Sequence, residues 1–155
     1  MAVLALLASL VCTAVLHGKR ASAKVTCISN LKQIYKALTL YREESGDFPP
    51  NSIPPHDGQL LITWEQILAR KYSLDSRLFF CPANARGQAN FWYGYRSYIY
   101  HFAEAGRKTP EDTSGISLIG CSNHGPDLYL GCYFDGSVRT VNLATLRQAR
   151  ARNHQ

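Results

Sequence analysis

The side chains able to do chemistry are few and widely spaced. Five cysteines stand at Cys12, Cys27, Cys81, Cys121 and Cys132. Cys12 falls inside an apolar N-terminal run, which leaves four for the rest of the chain. An even number in an exported domain predicts two disulfides, and four cysteines permit three connectivities. The nearest approach to a metal-ligand cluster is Cys121-x-x-His124 with Cys132, and no matching second pair lies close in sequence. The spacing therefore predicts no metal site and no cofactor. Nor does it predict an enzyme. The 11 carboxylates form no spaced acid/base pair, and Ser122-Asn123-His124 lacks a nucleophile elbow. Cys121 near His124 has no third orienting group that sequence identifies.

The elements that would position these residues belong to one domain, because 155 residues leave no room for a second core. A hydrophobic content of 46% with 18% charged residues is that of a folded chain. The net charge of +6 and a pI near 9.2 permit anionic partners. The cations lie mainly along 19–42 and from Arg139 to Arg152, where solvated helix faces account for them. No groove-reading motif accompanies them, so nucleic acid is not an expected partner.

Met1 to Leu16 carries no charge and no strong helix breaker, but is a few residues short of the roughly 20 needed to span a bilayer. Three readings compete. A cleavable signal with Ala21-Ser22-Ala23 as its site has its charges, Lys19 and Arg20, on the wrong side of the apolar run. A plain anchor would hold the remainder in the cytoplasm by the same charges. The third is a helix whose first residues precede Met1. The following stretch, Lys24 to Tyr41, favours the third. Cys27, Leu31, Ile34, Leu38 and Tyr41 recur at steps of 4, 3, 4 and 3, an amphipathic helical stripe. Gly46 supplies a stop. One helix over 2–44 would be about 65 Å long, and its apolar half (1–16) needs a bilayer or copies of itself around it.

The run Cys27-Ile28-Ser29-Asn30-Leu31-Lys32-Gln33-Ile34, continuing to Ala37, Leu38 and Tyr41, resembles a segment of bacterial type IV pilin-like proteins, the pseudopilin class of type II secretion. The resemblance continues in order through Gly46-Asp47-Phe48-Pro49, then Trp64, Leu68 and Tyr72, then Phe79-Phe80-Cys81-Pro82. It closes on Tyr93-Gly94-Tyr95, His124 and Asp135-Gly136, covering about 25–142. Ten residues separate His124 from Asp135, where this subgroup usually has nine. The leader and the Phe-Thr-Leu-Ile-Glu that follows it in the family are absent from the run before Cys27. Either the start codon is assigned too late, which is the favoured expectation, or the processing site has been lost, and the family's processing and assembly roles are assigned to no residue here.

In the remainder, Thr63 and Gln66 are spaced as a capping box for a short helix over 64–70. Cys27 on the buried stripe and Cys81 before Pro82 form the first candidate bridge. It would close a loop of about 55 residues and contribute about 4 kcal/mol. Cys121 and Cys132 form the second, across strands expected over 116–121 and 128–134, with free thiols the alternative. The Tyr-rich stretch Phe91 to Phe102 reads as a strand, with a stacking platform for sugars or bases as the other reading. Asp135-Gly136 reads as a hairpin turn. Asp127 is the only acidic residue between the two strands, so no calcium site is assigned.

The sequence therefore predicts an α+β, pilin-like fold: an N-terminal helix over 1–44 packed on a small antiparallel head over 45–155, ending in a basic helical tail. The resemblance implies a structural subunit held in the inner membrane with its head in the periplasm. It would polymerise with like subunits through residues 1–40 and contact secretion-assembly components. The alternative is an exported binding module, recognising carbohydrate, freed by cleavage after Ala23.

Overall fold

The computed structural model describes residues 2–53, 62–84, 98–100, 117–124 and 127–142. Most of the Tyr-rich stretch, including Tyr93-Gly94-Tyr95, and the tail from Leu143 lie outside the described residues.

Helix α1 runs from Ala2 to Ser45 without a break. No proline interrupts it, and Gly18 lies within the continuous helix. It stops where Gly46 takes a positive φ of 81° and donates its N–H to the Arg42 carbonyl at 2.9 Å. Arg42, in the last turn, also sits favourably against the helix dipole. The sequence stripe is the buried one: Cys27, Leu31, Ile34 and Leu38 are fully buried, with Ala37 beside them. Tyr41, at its end, is half-buried against the same core. Before Cys27 no described side chain of α1 is buried, and Val3, Leu10, Val11 and Leu16 face solvent.

A two-residue ladder, β1 (Ser52–Ile53) with β2 (Ile62–Thr63), leads into α2 (Trp64–Tyr72). The Thr63 N–H donates to the Gln66 side-chain oxygen at 3.1 Å, the return half of a capping box. The helix ends at Ser73, whose φ of 53° is left-handed, so it runs two residues beyond the expected stop. Trp64 is wholly buried and meets Phe79 edge to face at 5.8 Å. Phe79 closes the 3₁₀ turn Ser76–Phe79, which is capped by the Asp75 carboxylate accepting from the Arg77 N–H.

The main sheet is an antiparallel meander in chain order: β3 (Ile99–Tyr100), β4 (Ser117–Cys121), β5 (Leu128–Tyr133) and β6 (Val138–Asn142). Leu118, Ile119, Leu130 and Cys132 belong to one core with the α1 stripe, Trp64 and Leu68. The α+β layout is thus the expected one. The β5–β6 turn is the expected Asp-Gly turn. Gly136 has φ 76°, and its N–H donates to the Tyr133 carbonyl at 2.9 Å. Tyr35 of α1 donates to the Phe134 carbonyl at 2.7 Å, and its ring lies where a side chain at residue 136 would go.

The sheet register favours free thiols over the Cys121–Cys132 bridge. Cys121 is opposite Leu130, whereas Cys132 is opposite Ile119. The two cysteines share a face but stand two positions apart on the ladder. Such diagonal neighbours are about 7–8 Å apart, at or beyond the limit that a disulfide tolerates. All five cysteines are thiols.

Candidate functional site

Four donors from three parts of the chain converge at the junction between α1 and the head. Cys27 opens the buried stripe of α1. Cys81 follows the 3₁₀ turn. Cys121 ends β4, and His124 lies in the β4–β5 turn. Their sulfurs and one ring nitrogen all lie within 4.8 Å of one another. Cys81 Sγ stands 3.2 Å from His124 Nε2. The three cysteines are fully buried and His124 is half-buried. Cys27 does meet Cys81, as the first candidate bridge requires, but both meet Cys121 and His124 as well.

Local structure holds each donor. The Asn84 N–H returns to the Cys81 carbonyl at 2.9 Å, folding Cys81-Pro82-Ala83-Asn84 into a tight turn with Pro82 exposed. That turn aims the Ala83 N–H at the Cys81 sulfur, and the Asn123 N–H is aimed likewise at Cys121. The Asn123 side-chain amide adds a contact to Cys121 Sγ at 3.5 Å. One helical turn past Cys27, Asn30 Nδ2 donates to the Phe80 carbonyl and to the Tyr98 hydroxyl, each at 3.3 Å. The buried Tyr98 hydroxyl donates to the same carbonyl at 3.4 Å. Asn30 and Tyr98 therefore clamp the residue before Cys81 onto α1.

Three thiols packed together cannot ionise independently. Hydrogen bonds from Cys121 and then Cys27 favour the Cys81 thiolate and hold its titration far below the ordinary thiol range, with the Ala83 N–H and His124 acting in the same direction. Cys27 is pushed far up, first by its bonds to Cys121 and Cys81 and then by burial. Cys121 is raised to about 11: its bond to Cys27 favours the thiolate, but Cys81 and burial outweigh it. Cys132 lies outside the cluster, and burial raises it to about 12. The arrangement supplies three sulfurs and an imidazole at one point.

Beside His124 a cleft of about 880 Å³ opens where α1 leaves the head. His17, Lys19, Arg20 and Lys24 line one wall, and Pro82, Ala83 and Asn123 face them.

The other sequence-predicted residues are not brought to this site. Leu31 is core, while Lys32 and Gln33 are exposed, Gln33 binding back to Ser29. His124 and Asp135 sit at opposite ends of β5, so their motif marks two turns and no shared chemistry. Asp135 accepts from the Ser137 N–H at 2.8 Å and from Arg139 at 2.7 Å, a turn-stabilising role. Spacing along the chain groups only donors near in sequence and so misses the full set. The available signal was Cys27 on the buried stripe, which had to meet something from the head.

No family model matches the chain, and neither a curated protein nor a solved structure matches it. Among the described residues, no helix is long and apolar enough to cross a membrane.

Proposed function

We propose that the protein is a pilin-like structural subunit that polymerises through the first half of α1, of the type II secretion or type IV pilus kind. The observation that carries this is the division of α1 at Cys27. Past that point its apolar stripe is consumed by the head. Before it, roughly 25 residues, or about 37 Å at 1.5 Å per residue, stand clear of the head's core. Val3 is 69% exposed, Leu10 66% and Val11 61%. Contiguous apolar surface of this kind marks a contact with protein or lipid. Copies of the same helix, packed side by side with a bilayer around them before assembly, would cover every face of it. The ordered motif matches from Cys27 to Gly136 support the same reading, as does the α+β layout. In this reading the subunit sits in the inner membrane with its head in the periplasm, and it has no catalytic role.

Cys12 makes a direct test available, because it is exposed on that half of the helix. Oxidative cross-linking in cells producing the full chain should give Cys12-dependent dimers, lost in Cys12→Ser. A chain that stays monomeric in membranes, with no cross-link to itself, would contradict the proposal.

One observation favours the rival, an exported module released after Ala23. Among the described residues, none of the core precedes Cys27, so that cleavage would leave the head intact. The mass of the mature N-terminus separates the two: a chain starting at Lys24 supports the released module.

A further inference from the structure

We propose that Cys27, Cys81, Cys121 and His124 bind a structural Zn²⁺ that fastens the head to α1.

The donor set is the first argument. Three thiolates and one imidazole form a common closed zinc shell, and soft sulfur ligands select zinc over calcium or magnesium. With four protein ligands no coordination position remains for substrate, so the site is structural.

Geometry is the second. In a tetrahedron with Zn–S bonds of about 2.3 Å and Zn–N of about 2.0 Å, the donors stand roughly 3.5–3.8 Å apart. Here all lie within 4.8 Å, with Cys81 and His124 already at 3.2 Å. Closing onto an ion asks for side-chain movements of about an ångström. A disulfide would use two of the three sulfurs and leave the third thiol and His124 without a purpose.

The surroundings are the third. Zn²⁺ with three thiolates and a neutral imidazole carries a net charge of −1, which a buried site must offset. The Ala83 and Asn123 N–H groups aimed at Cys81 and Cys121 do this directly, spreading the sulfur charge into the backbone. Lys19, Arg20 and Lys24 line the cleft on which His124 borders. Asn30 and Tyr98, holding the Phe80 carbonyl, fix the Cys81 backbone before any ion binds. On binding, the protons of the three thiols go to solvent, and no redox step is involved.

The site also spans long separations in the chain. It joins the helix, the turn after the 3₁₀ segment and the end of β4, so an ion there replaces contacts that a small head supplies sparingly. This inference does not depend on assembly: the head carries zinc whether α1 polymerises or is cleaved.

The test is zinc content of the full chain, produced with added Zn²⁺ and purified under reducing conditions. About one zinc per chain is expected, retained in Cys12→Ser and Cys132→Ser. Cys27→Ser and His124→Ala should weaken retention against a chelator by about tenfold or more. In case those variants fold poorly, Co²⁺ added to the unaltered, zinc-stripped chain reads the ligands directly. Thiolate-to-cobalt charge transfer and intense tetrahedral visible bands are expected. A chain that retains no zinc, a cobalt spectrum without thiolate charge transfer, or undiminished zinc in Cys27→Ser would each overturn the proposal.

Discussion

The Cys81 sulfur and the His124 ring nitrogen lie 3.2 Å apart although they stand 43 positions apart in the chain. The 3₁₀ turn delivers one and the end of β4 the other, and α1 brings Cys27 to the same point. Chemical oxidation of the chelated chain should therefore bridge two of Cys27, Cys81 and Cys121 and leave Cys132 a thiol. Peptide mapping with thiol labelling checks this. A Cys121–Cys132 bridge would contradict the two-position offset between these residues on the β4–β5 ladder.

Asn30 is more than a surface match to a motif. Replacing it with Leu leaves the Phe80 carbonyl and the Tyr98 hydroxyl each short of one donor. Loss of about 1–3 kcal/mol is expected in denaturant unfolding. Gln33→Leu, one turn on but exposed, should change stability by less than about 0.5 kcal/mol.

Division of the helix at Cys27 predicts opposite effects of one substitution type on its two halves. Ile34→Ala opens a cavity in a fully buried site and should cost about 2–5 kcal/mol. Val11→Ala, 61% exposed, should leave the stability of the isolated chain within about 0.5 kcal/mol while reducing Cys12 cross-linking in cells. Equal losses at both positions would contradict the division.

Gly136 combines two constraints. Its φ of 76° disfavours any side chain, and a Cβ there would meet the Tyr35 ring at 2.9 Å. Gly136→Ala should destabilise by more than about 1 kcal/mol. Tyr35→Phe, which removes only the 2.7 Å bond to the Phe134 carbonyl, should cost about 1 kcal/mol. Thermal or denaturant melts compare the two.

The same turn predicts a pH effect. The bonds from Ser137, and then Arg139, hold the Asp135 carboxyl below its usual range. A carboxylate depressed in the folded state contributes stability that is present above its unfolded pKa of about 3.9 and is lost as pH falls through the folded value. An NMR titration of Asp135 should show a midpoint below 3.8, and Asp135→Asn should flatten stability over that acidic range. A midpoint at or above the ordinary carboxyl value would remove the effect.

The features legible in the chain alone were local ones. The 4-3-4 spacing of Cys27, Leu31, Ile34 and Leu38 marked the buried face of α1, because a period near 3.6 puts such residues on one side whatever they pack against. Thr63 with Gln66 placed the start of α2, and Asp135-Gly136 placed the last hairpin. Each rests on backbone geometry within a few residues. Which distant residues meet emerged only from how the elements pack. Strand register set Cys121 two positions along the ladder from Cys132, an offset that cannot be read from spacing alone, and packing brought it to Cys27. His124 and Asp135, linked by motif, fell at opposite ends of β5. His124 and Cys81, linked by nothing local, came into contact. A donor cluster drawn from a helix, a turn and a strand end has no sequence period, because its spacing is set by how those elements pack.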